Sequence, residues 1–382
     1  MAERTVIVLG GGIGGVVAAR SLRRRLQASD RVVLVDRSPV HRFPPSYLWV
    51  MTGQRRPDQV QADLGRLRRK GIEVVRSEIL AIDPEKRAVR TAEGDLNADR
   101  LVIALGAEPA FDTLPGFAEG ALNVYDLEGL SAAGDALRGF GGGRVAVAVT
   151  RLPYKCPAAP HEAALLAEWM LRKAGVRERC EIDVYTPEPF PMPTAGPEMG
   201  EAVKGMLAER GIGFRAGVTT ERVDTEELVF ENGDRAGYDL LLGIPPHRSP
   251  QVARESGLAA ESGFIPVGSG TLATKAEGVY AIGDVTAIPI AGGKFLPKAG
   301  VFAHAEAEVV ARRIADEMAG RTPKATFDGH GSCFVEMGDG VAAYSTGAFY
   351  GEEGAEISLK RPGKRWHLAK IAFEKLWFRR WL

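Results

Sequence analysis

The chain has 382 residues, 45% hydrophobic and 26% charged, with 49 basic side chains balanced by 49 acidic ones. That length exceeds one ordinary domain of roughly 100–200 residues, and a formal net charge of zero excludes the basic excess on which nucleic-acid binding depends. Three cysteines cannot all pair with one another, which excludes a disulfide-stapled scaffold and points to thiol chemistry instead.

The first predicted strand, Thr5–Leu9, begins almost at once, so the expectation is that no secretory signal precedes it and that the protein is cytoplasmic. Gly10, Gly12, Ile13, Gly14 and Gly15 then open a helix, and the next strand ends on Asp36. A Gly-x-Gly-x-x-Gly turn between strand and helix lets backbone approach a pyrophosphate, and an acid about 20 residues later reads a ribose. This is a dinucleotide site, for FAD or NAD. Segments 101–106 and 278–285 are two further short strands closing in glycine turns, with Ala104 and Gly106 in the first and Gly283 and Asp284 in the second. They resemble the later FAD-contact motifs of two-dinucleotide-binding-domain flavoproteins, and that resemblance selects FAD. Residues 37–57 are too rich in proline to form a regular element.

Residues 141–162 read as a buried strand followed by a loop of the wrong kind. Where a second nucleotide would need glycines, the loop carries Arg151, Pro153, Tyr154, Lys155, Cys156 and Pro157. No carboxylate closes the strand at 181–185, so the middle domain keeps the Rossmann-like rhythm while its NAD site is lost. Electrons are therefore not expected from NADH. The loop offers a thiol, with Arg151 and Lys155 expected to lower its pKa and His161 and Glu162 as the nearest proton carriers. Cys180 reads as packing. Residues 292–300, with Lys294 and Lys298, lead into a helix over 301–318. A third region carries Cys333, ahead of a hairpin that runs to Phe349. The tail interleaves Trp366, Trp377 and Trp381 with basic residues, which suits a helix lying at a membrane surface with its rings at headgroup level. A core-docked helix and an oligomer contact are the alternatives.

Phe43-Pro44-Pro45-Ser46 with Trp49-Val50, Lys155-Cys156-Pro157 with Pro160, the Gly283-Asp284 motif, residues 295–300 and Cys333 occur in an order that resembles the sulfide:quinone oxidoreductases and the related flavocytochrome c sulfide dehydrogenase flavoproteins. The resemblance implies an α/β fold: a tandem Rossmann-like, two-dinucleotide-binding-domain flavoprotein with a C-terminal α+β region and an amphipathic tail. Its expected divisions are an FAD domain at 1–121 and 251–321, a second Rossmann-like domain at 122–250, and a C-terminal domain at 322–382. It also implies that Cys156 and Cys333 form a redox pair and that FAD is bound without a covalent link, since no cysteine lies near the fingerprint. Arg37, Pro44, Ile79 and Ala299 join the expected FAD contacts, and Lys298 is expected to stabilise reduced flavin at the N-terminus of its helix. Sulfide would then be oxidised to polysulfide or sulfur and a quinone reduced, by a peripheral protein on the cytoplasmic face of the membrane. No metal is expected, and a homo-oligomer is compatible with the resemblance. The alternatives are a cytochrome acceptor, an NADH:quinone dehydrogenase, and a flavin redox sensor without turnover.

Overall fold

The computed structural model describes residues 3–382. Thr5–Leu9 and Arg31–Asp36 are runs of β-branched and aliphatic residues, and both are buried along nearly their whole length. Such strands need cover on both faces, which a parallel sheet with flanking layers supplies. They belong to a five-stranded parallel sheet in the order Val279–Ala281, Arg100–Ile103, Thr5–Leu9, Arg31–Asp36, Glu73–Arg76. The first of these strands comes late in sequence, so the chain leaves this unit after Ile103 and re-enters it near residue 279. Helices Ile13–Arg23 and Gly300–Met318 pack on one another over one face. The antiparallel strands Ile79–Asp83, Ala88–Thr91 and Gly94–Asn97 lie on the other, where Ile82 and Val89 join the core of Ile7 and Leu9.

A second five-stranded parallel sheet, in the order Leu122–Asn123, Leu240–Ile244, Gly143–Val149, Cys180–Tyr185, Ile212–Arg215, is built from the intervening chain. Along Gly143–Val149, residues 145, 147 and 149 face the helices, whereas Ala146 and Ala148 face a small antiparallel meander that includes Leu228 and Phe230. This alternation is the two-residue period of a strand covered on both sides.

The C-terminal region is an antiparallel sheet, His330–Glu336, Ala342–Ala348 and Glu356–Gly363, followed by helix Lys364–Trp381. It bridges the two larger units. Val335, Met337 and Ala343 enter the core of the second, and Phe349, Trp377 and Trp381 enter the core of the first.

Two sequence expectations need correction. Residues 37–57 do contain regular structure: strand Val40–Arg42, a 3-10 turn Pro44–Ser46 that accepts proline at its start, and a buried helical turn Leu48–Met51. The tail is helical, but its tryptophans do not face outward. Trp377 and Trp381 are 3% and 1% exposed, and Trp366 stacks on Tyr344 with ring centroids 4.6 Å apart. Phe43, His41 and Phe378 surround Trp377, so the rings are held by protein. The exposed side carries Leu368, Phe373 and Leu376 together with Lys364, Arg365, Lys375, Arg379 and Arg380. Among the described residues no helix is long and apolar enough to cross a membrane.

The two sides of this helix should respond differently to truncation. Trp381→Ala should cost about 3 kcal/mol of stability, the usual loss for emptying a buried aromatic site, while Leu376→Ala on the exposed side should stay within about 0.5 kcal/mol. Urea unfolding followed by circular dichroism checks both. Equal losses would mean that the helix is not docked through its tryptophan side.

Candidate active site

The dinucleotide loop is shaped by close backbone approach. A Cβ on Gly10, whose φ is 103°, would lie 2.4 Å from the Ala104 carbonyl oxygen, and one on Gly15 would lie 1.8 Å from that of Gly10. These two glycines are required by the protein's own packing. Gly12 differs, because nothing lies within 4 Å of its Cβ position, and it forms the N-cap of helix Ile13–Arg23. Gly106, at φ 69°, is also open. Asp36 accepts the N–H of Gly11 at 2.5 Å and that of Ser38 at 2.6 Å, bracing the loop while a lone pair on each oxygen is left for a ribose. Gly14 and Ile13 pack against the return segment, Gly14 near Ala303 and Ile13 against Gly300, so two helix N-termini converge. At that junction Gly283 has φ 74° and donates its N–H to Glu306 at 2.6 Å, and Asp284 Oδ1 is buried with no partner among the described residues. Burial lifts the Glu306 carboxyl to about 7. Open glycines, converging helix N-termini and an orphaned carboxylate oxygen fit the phosphates and hydroxyls of FAD.

Lys298 sits just before Ala299, the N-cap of helix Gly300–Met318. Its Nζ donates to the carbonyls of Asp284 at 2.7 Å and Thr286 at 3.1 Å and lies 3.5 Å from the Phe264 ring centroid. Burial draws its pKa down to about 8. Lys294 is exposed and donates to the Pro193 carbonyl, as a surface lysine would. Arg37 and Pro44 are exposed, and Ile79 is half-buried against the second face of the first sheet.

The thiol centre draws on three parts of the chain. Cys156 adopts a left-handed φ of 55°, uncommon for a residue with a side chain. Its N–H donates to the Lys298 carbonyl at 2.6 Å, and its carbonyl accepts from Ala159 at 2.9 Å. The first bond ties the second-domain loop to the first domain; the second leads into helix Ala159–Lys173. Tyr125 donates its hydroxyl to the Lys155 carbonyl at 2.6 Å. Cys333 lies on strand His330–Glu336, and both thiols are free and partly buried.

Glu162, in the first turn of that helix, accepts from Lys370 Nζ at 2.7 Å. Lys370 comes from the tail helix, stands 4.0 Å from Glu336 and lies over Trp49 at 4.9 Å. Glu336 in turn bonds His367 at 2.8 Å. One cation thus faces two buried carboxylates. Burial opposes the charge on Lys370, but Glu162 and Glu336 outweigh it and hold its pKa above the usual lysine value. Burial raises Glu162, and Lys370 only partly offsets this. The thiols feel the excess negative charge. Burial pushes Cys156 up to about 11, with Glu162 adding to the rise and the Ala159 N–H and Lys370 opposing it. Burial also raises Cys333 well above the usual thiol range, reinforced by the charges of Cys156 and Glu162.

Of the residues singled out from sequence, Cys156, Cys333 and Glu162 come together here, and Lys298 joins them through its backbone. His161 does not. It is 1% exposed, its ring faces Phe214 at 6.0 Å in the second-domain core, and burial lowers its pKa to about 4. Arg151 is also elsewhere, its guanidinium pinned on the carbonyls of Thr113, Thr220 and Glu221. The Lys155 ammonium donates to the Ala107 carbonyl at 3.2 Å. Lys155 and Cys156 feel one another's charge, yet burial leaves both thiols raised. Cys180 is buried with its Sγ on the Val176 carbonyl, as packing predicts. Sequence reasoning missed Lys370, Glu336 and His367. Lys370 alone had a signal, the inward spacing of Lys370, Glu374, Trp377 and Trp381 on the tail helix, which is helical but not uniformly apolar.

The family model for pyridine nucleotide-disulphide oxidoreductases matches residues 4–307. The mitochondrial sulfide:quinone oxidoreductase of Mus musculus is 27% identical over 356 residues, covering 87% of this chain and 75% of that protein. The sulfide-quinone reductase of Aquifex aeolicus (strain VF5) is 25% identical, covering 97% of this chain and 90% of that protein. The X-ray structure of the sulfide:quinone oxidoreductase from Aquifex aeolicus superposes with a TM-score of 0.90 at 23% identity, across 99% of this chain and 91% of that one.

The raised thiols have a measurable consequence. At pH 8 a thiol with its pKa near 11 holds roughly 100-fold less thiolate than one near 9. Alkylation of reduced Cys156 by iodoacetamide should therefore be slow at pH 8 and rise steeply towards pH 11. An inflection below pH 9, read by mass spectrometry of the Cys156 peptide, would show an activated thiol instead.

Proposed function

The chain belongs to the pyridine nucleotide-disulphide oxidoreductase family, and from that premise we propose that it oxidises sulfide through Cys156 and Cys333 and passes the electrons by way of FAD to a quinone. The observation that carries this reading is the convergence of two thiols from separate domains beside the segment that would hold FAD, in a chain whose relatives are named for sulfide and quinone. FAD, when bound, supplies a two-electron acceptor between a thiol and a quinone. Gly12, Gly106, Asp36, Asp284 and the N-terminus at Ala299 would hold it. Arg37, Pro44 and Ile79 remain candidate contacts at its edges.

The chemistry of the thiols follows from exchange. A hydrosulfide ion attacks one sulfur of a Cys156–Cys333 disulfide; the S–S bond breaks, leaving a persulfide on one cysteine and a thiolate on the other. Joining these two through the added sulfur gives a trisulfide and releases one proton and two electrons. Glu162 suits the proton, because burial makes it a weaker acid than an ordinary glutamate. Lys370 offsets charge while the thiolate exists. Further hydrosulfide would lengthen and release the sulfur chain as polysulfide. The middle-domain loop gives no support to NADH as donor: Arg151 is occupied by backbone carbonyls and Tyr154 is buried against Glu188 at 2.8 Å.

The quinone side is assigned to the outer face of the tail helix. Its only acid, Glu374, is buried on Ser46 and Arg55, so the exposed face offers apolar and cationic groups alone. That combination favours an anionic membrane surface, with the protein peripheral and on its cytoplasmic side.

Anaerobic mixing with sulfide tests the thiols. Cys156→Ser and Cys333→Ser should each bind FAD yet lose flavin bleaching by roughly a thousand-fold or more, and the double variant should be hardly worse, because residues acting as a unit are not additive. Cys180→Ser should stay near wild type. Retention of most of the rate in Cys333→Ser would remove the pair from the mechanism.

Removing residues 366–382 takes away Lys370, whose charge acts on both thiols and which pairs with Glu162, and should abolish sulfide chemistry. The membrane role is therefore better tested by Leu368→Asp with Leu376→Asp, both exposed. This pair should preserve flavin bleaching by sulfide while reducing liposome co-sedimentation and membrane quinone reduction at least about ten-fold. Undiminished co-sedimentation would rule out this face.

A further inference from the structure

Buried His41 belongs neither to the thiol centre nor to any motif read from the sequence. Its side chain is fully buried on strand Val40–Arg42. Nδ1 lies 2.8 Å from the Gly11 carbonyl oxygen, which only accepts, so Nδ1 carries the proton. On its other side the ring stacks on Trp377 of the tail helix, with centroids 4.7 Å apart and planes 18° from parallel. Burial lowers its pKa to about 4, leaving it neutral, and Nε2 has no partner among the described residues.

The Gly11 carbonyl shares its rigid, planar trans peptide unit with the Gly12 N–H, so the two point in opposite directions. Anchoring the carbonyl on His41 turns the Gly12 N–H away from the imidazole. Gly12 is the fingerprint glycine with open space before it and caps the first helix. The N–H of Gly11 is fixed in turn by Asp36. Both ends of residue 11 are thereby held, one by the strand that ends in Asp36 and the other by a ring resting on the tail.

We propose that His41 is a cofactor-positioning residue that couples docking of the C-terminal helix to the geometry of the FAD phosphate loop. The proposal rests on FAD being the cofactor. Linkage makes the coupling reciprocal: a docked tail favours FAD, and bound FAD favours a docked tail by the same factor. A change at the exposed side of the helix that loosens its docking would therefore weaken FAD retention.

The test measures FAD dissociation constants by fluorescence after deflavination, alongside unfolding midpoints. His41→Phe keeps a ring against Trp377 but has no N–H donor, and FAD should bind about ten-fold more weakly, the usual worth of one net hydrogen bond. His41→Asn restores a donor without the stack and should return affinity to within about three-fold of wild type. Trp377→Leu should weaken FAD in the wild-type background, yet add little in either His41 variant, because the connection is already broken. Affinity within about two-fold of wild type in His41→Phe, with only the unfolding midpoint lowered, would make His41 a packing residue and overturn the proposal. Should the variants fail to fold, hydrogen exchange of residues 364–381 in the wild-type protein decides. Greater protection with FAD than without supports the coupling, and equal protection overturns it. A protein that retained no FAD in any form would defeat the cofactor assignment instead, a distinct outcome.

Discussion

The ion pair between Lys370 and Glu162, 2.7 Å long and with both side chains less than a tenth exposed, is the interaction on which the site depends. An isolated ammonium in such a place would shed its proton, because burial penalises the charged form. Two carboxylates prevent that here, Glu162 from a second-domain helix and Glu336 from the C-terminal sheet. Removing one partner of a buried pair costs about 3 kcal/mol or more, since the other charge is left without compensation. The pair therefore also holds the tail helix in place. Its price is specificity of assembly: the lysine can be satisfied only when three distant segments have already met.

That condition explains the makeup of the thiol centre. Cys156 is carried by a loop whose backbone is bonded to Lys298, so its position depends on the contact between the two larger units. Cys333 is carried by a sheet whose core contacts reach the second unit, while the helix after it enters the core of the first. Neither thiol is positioned by its neighbours in sequence. Burial then sets the chemistry, with the charge of Glu162 adding to it, since both thiols are raised. Such thiols are held as neutral thiols or in a bonded form in preference to free thiolates, because burial penalises the charge.

Legibility in the sequence divided along the same line. The first Rossmann-like unit could be read because its signals are local: Gly10 to Gly15 and Asp36 are fixed by contacts within one strand, helix, strand unit. The family resemblance brought Cys333 to Cys156 across more than a hundred residues, where no local pattern would. What stayed hidden was charge in the interior. Reading a basic, aromatic tail as interfacial assigned every lysine and arginine to solvent, whereas Lys370 and Glu374 point inward beside Trp377 and Trp381. A hydrophobic periodicity cannot show such a stripe, because the partners that make burial tolerable, Glu162, Ser46 and Arg55, lie far away in sequence. His161 failed in the opposite sense. Adjacent to Glu162 in sequence, it lies about 100° around the helix and faces the core instead of the thiols.

The tail helix consequently has two faces with different duties. Lys370, Glu374, Trp377 and Trp381 follow steps of four, three and four residues, the period that keeps them on one side. Between them lie Phe373, Lys375, Leu376 and Arg379, turned out. A helix is rigid along this length, so its inner face cannot shift at Lys370 without also shifting Trp377, seven residues on, about 10 Å along the axis. Thiol charge at one end and the phosphate loop at the other are thereby referred to the same body. Whatever surface the outer face meets acts on that body too, because the inner face of the same helix carries both Lys370, paired with Glu162, and Trp377, stacked on His41.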